Sequence, residues 1–308
     1  MPNLRDIKDR ITSINNTQKI TRAMKMVAAA KVKKAENKVK AARPFAKELA
    51  YVFSRLLRSV GGEYSSFNLN TKRAIDNYPA LLKKREVKTV GILVVTSSKG
   101  LAGAYNANII RFTLKKIEEY KSQNIKARLF IVGQKGVSGL RRQAKNYGFE
   151  IDKRYVNFSD PTSGSAIVVA EDMASSFVNG EIDSIEIITT SFKNMMSYKV
   201  QDWKILPLEF NAEEEKEENS NHIDALMSFE PNEHIVLQKV IPMFISNTIY
   251  HSFLEANASE LASRMTAMSA ACNNAQEMIR TLSIDYNKAR QSAITQEINE
   301  VVSGADAL

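Results

Sequence analysis

The segment of this chain best suited to chemistry is Ser97-Ser98-Lys99-Gly100-Leu101-Ala102-Gly103-Ala104-Tyr105-Asn106, which follows an apolar run and leads into a helical pattern. A glycine-rich turn between strand and helix can cradle a phosphate, because free backbone N–H groups and a helix N-terminus both favour an anion. The spacing here is neither G-x-G-x-x-G nor G-x-x-x-x-G-K-[ST], so a structural turn is preferred over a nucleotide site. Metal and nucleophile chemistry have less to work with. The histidines, His222, His234 and His251, lack ligand spacing, and no Ser-His-Asp grouping is visible along the chain. The single cysteine, Cys272, falls on an apolar helical stripe, where a small buried thiol is expected. One cysteine excludes an internal disulfide framework and fits a reducing compartment. No catalytic residue, cofactor or metal is expected.

The elements around the turn form an α/β insert. Lys88 to Thr96 reads as a buried strand, Ala107 to Ser122 as a helix, Ala127 to Val132 as a strand and Lys135 to Asn146 as a helix. A third helix is expected over Ser163 to Asn179 and a third strong strand over Ser184 to Thr189, with a further strand or two at the edge between Tyr198 and Phe210. Alternating strands and helices predict a mostly parallel sheet covered by helices, a small Rossmann-like layer.

Both ends of the chain are built differently. Positions 4, 7, 11, 14, 18, 21, 25, 28, 32, 35, 39, 42, 46, 49, 53, 56 and 60 alternate three and four apart, and fourteen of these seventeen residues are apolar. That period is the seam of a left-handed coiled coil. At ~1.5 Å per residue the segment predicts a rod of roughly 80 Å, ended by Gly61-Gly62. The same register runs through positions 254, 258, 261, 265, 268, 272, 275, 279, 282, 286, 289 and 293, and back through Phe244, Val240 and Leu237, with a kink expected at Pro242. Each rod has one narrow stripe and needs a partner, so the simplest arrangement pairs them antiparallel with the α/β layer inserted between. Gln18, Thr21 and Lys25 weaken the first seam locally, where Ile20, Met24 and Val27 form a second apolar face. The organisation predicted is 1–60 N-terminal coiled-coil helix, 61–211 Rossmann-like domain, 212–232 acidic loop and linker, and 233–308 C-terminal coiled-coil helix.

The net charge of +9 is unevenly placed. Residues 1–58 carry 15 basic and 4 acidic side chains, whereas 231–308 carry 5 and 8. The basic N-terminal segment implies an acidic partner. A nucleic-acid binder with a basic helical arm is one reading, but Phe45 is the only aromatic before Tyr51 and offers little platform for base stacking. A Rossmann enzyme is another reading, motivated by the insert. No apolar run approaches the ~18 residues that suggest a membrane span, and Asp6 and Asp9 make the N-terminus too acidic for a transit peptide.

Two end motifs carry a family resemblance. Ile7-Lys8-Asp9-Arg10-Ile11-Thr12-Ser13-Ile14-Asn15-Asn16-Thr17-Gln18-Lys19-Ile20-Thr21-Arg22-Ala23-Met24-Lys25-Met26-Val27-Ala28-Ala29-Ala30-Lys31 resembles the start of the gamma subunits of F-type ATP synthases. Ala258-Ser259-Glu260-Leu261-Ala262-Ser263-Arg264-Met265-Thr266-Ala267-Met268 and Tyr286-Asn287-Lys288-Ala289-Arg290-Gln291-Ser292-Ala293-Ile294-Thr295-Gln296-Glu297-Ile298 are similar to the same family. So is Ser98 to Asn106, with Ala102 where a cysteine is common.

The resemblance implies an antiparallel coiled coil of the terminal helices with a Rossmann-like domain at its foot. It implies a non-catalytic central shaft that turns inside a ring of alpha and beta subunits and couples proton flow through a membrane c-ring to ATP synthesis or hydrolysis. The partners implied are alpha, beta, epsilon and the c-ring, with no nucleic acid and no span of its own, at the cytoplasmic face of a bacterial inner membrane. Met24, Arg264, Arg290, Gln291 and Thr295 match positions that meet acidic catch loops of beta. Lys31, Lys33, Lys34 and Lys38, with Lys40, would form a basic collar facing acidic lever loops. Val301, Val302, Ala305 and Leu308 would sit in an apolar sleeve. Photosynthetic members carry an insertion before the last helix, sometimes with a cysteine pair. Here only a short acidic stretch joins Leu208 to Phe229, so disulfide regulation is not expected.

Overall fold

The computed structural model describes residues 4–59, 73–83, 85–156, 158, 160–207, 230 and 232–306. The acidic stretch 212–221, Gly61-Gly62 and Leu308 lie outside the described residues, as does His222. The elements in chain order are α1 (Leu4–Ser59), a 3-10 turn (Ala74–Asp76), α2 (Tyr78–Leu82), β1 (Thr89–Val95), α3 (Tyr105–Ser122), β2 (Lys126–Val132), α4 (Gln134–Tyr147), β3 (Glu150–Tyr155), α5 (Ser163–Val178), β4 (Ser184–Asn194), β5 (Ser197–Leu206) and α6 (Glu233–Asp306). The two terminal helices run unbroken through Pro44 and Pro242 respectively. The chain divides into two compact units, 1–31 with 264–308, and 32–263.

In the first unit the heptad stripe closes. From Leu4 to Ala28 every stripe position of α1 is buried or half-buried, including the polar Gln18, Thr21 and Lys25. On α6, Met265, Met268, Cys272, Ala275, Ile279, Leu282, Tyr286, Ala289 and Ala293 are likewise buried or half-buried. Gln18 Nε2 donates to Gln276 Oε1 at 2.7 Å, which fixes the register of the pair. Gln276 is exposed beside the stripe, and the polar Gln18 on the seam itself comes at some cost in stability.

In the second unit the sheet order is β3-β2-β1-β4-β5. β1 pairs parallel with β2 and β4, β2 pairs parallel with β3, and β5 closes the edge antiparallel to β4. β1 alternates cleanly. Val90, Ile92 and Val94 join Ile109, Ile117, Val137 and Leu140 of α3 and α4 on one face. Leu93 and Val95 join α5, the end of α1 and the start of α6 on the other. A strand covered on both faces reads as a continuous apolar run, and β1 does. Antiparallel contact between the terminal helices is direct in this unit. Arg43 meets Glu255, and ten residues further along α1 Phe53 stacks on Phe244 with ring centroids 4.5 Å apart.

Two parts of the fold differ from the sequence reading. β3, Glu150-Ile151-Asp152-Lys153-Arg154-Tyr155, was not anticipated. It is an edge strand with little buried surface, so it lacks apolar alternation. β4, expected to end at Thr189, runs on to Asn194 and forms a hairpin with β5, Ser197–Leu206, the one strand that the described residues of the expected edge form.

Candidate partner-binding surfaces

The glycine-rich turn is held by its own groups. Thr96 Oγ1 donates to Val132 O at 2.7 Å and accepts from the Gly136 N–H at 2.9 Å. Ser97 N–H donates to Asn106 Oδ1 at 3.0 Å, Ser97 Oγ donates to Lys99 O at 2.7 Å, and Lys135 N–H donates to Ser97 O at 3.0 Å. A Cβ at Gly133, where φ is +93°, would lie 2.3 Å from Thr96 O, so only glycine lets α4 start against this turn. From α6, Ser263 Oγ donates to Ala102 O at 2.7 Å. Tyr105, fully buried, donates to Ala256 O at 3.1 Å, and burial pushes its phenol pKa well above the ordinary range. The turn is thus a joint among β1, α3, α4 and α6. Its polar groups face one another, which accounts for a glycine-rich segment without nucleotide-motif spacing.

Histidine and cysteine take structural places. His234 Nδ1 lies 2.9 Å from Tyr78 Oη. His251 stacks on Trp203 with centroids 5.6 Å apart, and its Nε2 is 3.5 Å from Glu255 Oε1. Burial depresses the His251 pKa below its ordinary value, the charge of Arg43 acts in the same direction, and Glu255 opposes them. Cys272 is half-buried on the seam. Among the described residues no group of three or more His, Cys, Asp or Glu could hold a metal ion.

The outer surface of the first unit is unusual for a soluble helical pair. Ile20, Met26, Val27, Met278, Ile284, Ile294, Ile298, Val301 and Val302 are all exposed, from 46% for Met278 to 72% for Val301. Exposed apolar side chains in such number make this surface a candidate for cover by a partner. Ile20 and Val27 belong to the second face foreseen from sequence. Met26, Met278, Ile284, Ile294 and Ile298 were missed as site residues. Their signal was available, since each is apolar and off the stripe.

The residues expected to meet acidic catch loops fall into two groups. Arg264 and Met24 are half-buried, while Arg290, Gln291 and Thr295 are exposed. Lys288, Gln291, Thr295 and Asn299 line one shallow polar groove of α6. Arg264 and Arg290 sit 26 residues apart on the same helix, about 39 Å at ~1.5 Å rise, so one loop cannot grip both. By the Gln18–Gln276 register Leu4 comes opposite about residue 290, so beyond there no described part of α1 lies beside α6. Val301 and Val302 are exposed in that stretch. The side chain of Ala305, like Leu308, is outside the described residues.

The basic collar is partly compensated within the chain. Glu36 accepts from Lys40 at 2.8 Å and Lys33 at 3.3 Å, and these two cations, Lys40 first, hold its carboxyl below the usual range. Among the described residues Lys31, Lys34 and Lys38 are exposed and in no ion pair.

Comparison with known proteins agrees with this architecture. A family model described as ATP synthase matches residues 3–308. The chain is 41% identical to the ATP synthase gamma chain of Synechococcus sp. (strain JA-3-3Ab), aligned over all of both chains. That alignment spans 330 positions against 308 residues here, so the relative carries segments this chain lacks. It is also 41% identical to the ATP synthase gamma chain of Heliobacterium modesticaldum (strain ATCC 51547 / Ice1), again over all of both chains. Among solved structures, the central stalk and c-ring of the Tetrahymena thermophila mitochondrial ATP synthase includes a chain similar at TM-score 0.58 and 25% identity, covering 82% of this chain and 99% of that one. A chain of the Euglena gracilis mitochondrial enzyme shares the fold at TM-score 0.66 and 18% identity, covering 99% and 94%.

Proposed function

The chain belongs to the ATP synthase gamma-chain family, and from that premise we propose that it works as the non-catalytic rotor of its complex, turning inside a ring of alpha and beta subunits. It is a central-stalk subunit, and ATP synthesis is the activity of the complex to which it contributes. Asymmetry is its chemistry. Two paired helices have no three-fold symmetry, so they present a different face to each of three beta subunits. A ligand or partner shifts a conformational equilibrium only by its differential affinity for the two states. Three different faces therefore bias three beta subunits toward three nucleotide affinities, and rotation passes each subunit through all of them.

The observation that carries this reading is the exposed apolar surface of the first unit, set outside a seam that is already closed. A two-helix rod of this kind needs a surrounding bearing. Arg290 and Gln291 supply polar contacts on that surface, since arginine forms a bidentate grip on carboxylates. Lys31, Lys34 and Lys38 face acidic lever loops of beta, and Val301, Val302, Ala305 and Leu308 enter an apolar sleeve. The α/β unit binds epsilon and the c-ring. The complex sits at the cytoplasmic face of a bacterial inner membrane; no described helix is long and apolar enough to cross a membrane.

Co-expression with the alpha, beta and epsilon subunits tests the proposal. The expected product is a complex holding one copy of this chain, in which ATP hydrolysis rotates a bead attached to the α/β unit. An isolated chain that hydrolyses ATP by itself, or one that never enters the complex, would refute it.

A further inference from the structure

In the second unit lies a half-buried charged clasp for which the rotor reading has assigned no role. Arg43 of α1 donates from Nε to Glu255 Oε1 at 2.8 Å and from Nη2 to Glu255 Oε2 at 3.1 Å. The same Nη2 donates to the carbonyl of Phe192 at 2.7 Å, and the Phe192 N–H donates to Glu255 Oε2 at 2.7 Å. One guanidinium and one carboxylate, the latter 2% exposed, thereby join α1, α6 and the end of β4.

Stability alone is a weak reason for such a pair. Glu255, 2% exposed, bears a desolvation cost, while Arg43 is 44% exposed, so solvent screens the attraction that would offset it. The place suggests another reason. The residue after Arg43 is Pro44, well inside α1. Proline lacks an N–H, so the carbonyl of Lys40 loses its partner four residues on, and the helix is locally weakened. Helix kinks concentrate at such positions. The clasp therefore grips α1 at the point where its own backbone resists bending least.

We propose that the Arg43–Glu255–Phe192 clasp braces α1 at Pro44, so that torque entering the α/β unit passes into the helices instead of bending them. Arg43 and Glu255 are positioning residues for coupled turnover. They touch no substrate. The geometry needs arginine, because a single fork must reach both Glu255 oxygens and the Phe192 carbonyl. Lysine keeps the charge that neutralises Glu255 but is a point donor.

The proposal rests on the central-stalk reading, and its test is made on the complete complex in sealed vesicles, measuring proton pumping per ATP hydrolysed. Arg43→Lys should assemble and hydrolyse ATP within about twofold of the parent, while pumping per ATP falls by about threefold, since the charge remains and the fork does not. Adding Pro44→Ala restores the backbone bond and should recover most of the pumping, which a pair serving only to fold the chain would not show. Unchanged pumping in Arg43→Lys, or a deficit that Pro44→Ala leaves in place, overturns the brace. Glu255→Gln keeps an acceptor for the Phe192 N–H and serves if Arg43→Lys does not assemble; the same deficit is expected. Loss of assembly in both variants also overturns it, because the pair would then serve folding alone. Failure of the central-stalk reading looks different, since the parent chain itself would then form no pumping complex.

Discussion

Replacing Gly136 by alanine tests whether the glycine-rich turn is a closed joint. A Cβ there would lie 2.4 Å from Thr96 Oγ1, 2.9 Å from Thr96 Cγ2 and 3.0 Å from Ile131 Cγ2. Thr96 is 6% exposed, and its hydroxyl both accepts from the Gly136 N–H and donates to Val132 O. The new methyl must displace that hydroxyl. Stranding one buried donor costs about 1–3 kcal/mol, and overpacking adds about 1–3 kcal/mol. Alanine recovers about 0.5–1 kcal/mol through its helix preference over glycine. Gly136→Ala should therefore destabilise by about 1–5 kcal/mol. Thr96→Ala removes the obstructing atoms, so the double variant should cost less than the sum of the single changes by about 1–2 kcal/mol, the coupling expected of residues in contact. Urea unfolding of the full chain measures this, followed by the fluorescence of Trp203, the sole tryptophan, which lies in β5 of the same sheet. A loss below about 0.5 kcal/mol, or a strictly additive cycle, would refute the reasoning. The turn would then have slack, and a ligand role would regain its footing.

Arg290→Ala combined with Gln291→Ala should lower assembly or coupled turnover of the complex; unchanged assembly and rotation would count against a catch at this surface. Charge reversal at Lys33 and Lys34 should weaken the complex more at low than at high ionic strength, with Lys34 the more effective because Lys33 already pairs with Glu36. Salt-independent binding would argue for packing instead. His251 is held below its ordinary pKa of 6.5, chiefly by burial, so the unfolded chain takes up its proton first as pH falls. Stability from this source is complete above about pH 6.5 and declines below it until the folded-state pKa is passed. His251→Gln should therefore flatten the fall in melting temperature between about pH 7 and pH 5, and identical slopes in parent and variant would sink the assignment.

Much of this molecule is legible because its elements obey strong local periods. The stripe from Leu4 to Leu56 was readable because a coiled coil requires the same kind of residue every three or four positions, and each of those positions is buried or half-buried. β1 was readable because both its faces are covered. β3 was not, since an edge strand with charged residues has no apolar period to show. The clasp was illegible for a different reason. Arg43 and Glu255 lie 212 residues apart, and each alone is an ordinary charge on a helix.

The partner surface falls between these cases. Once a stripe explains which apolar residues the chain hides by itself, the remaining apolar residues on the same helix need another explanation. Ile20 and Val27 on α1, and Met278, Ile284, Ile294 and Ile298 on α6, are such remainders, and all are exposed. The charged contacts do not yield to this subtraction, because exposed Arg290 and Lys34 look like any solvated residue until a partner is present. For a helix proposed to bear on a surrounding ring, apolar leftovers are therefore the candidates for the bearing, while its polar grips emerge only from partner binding.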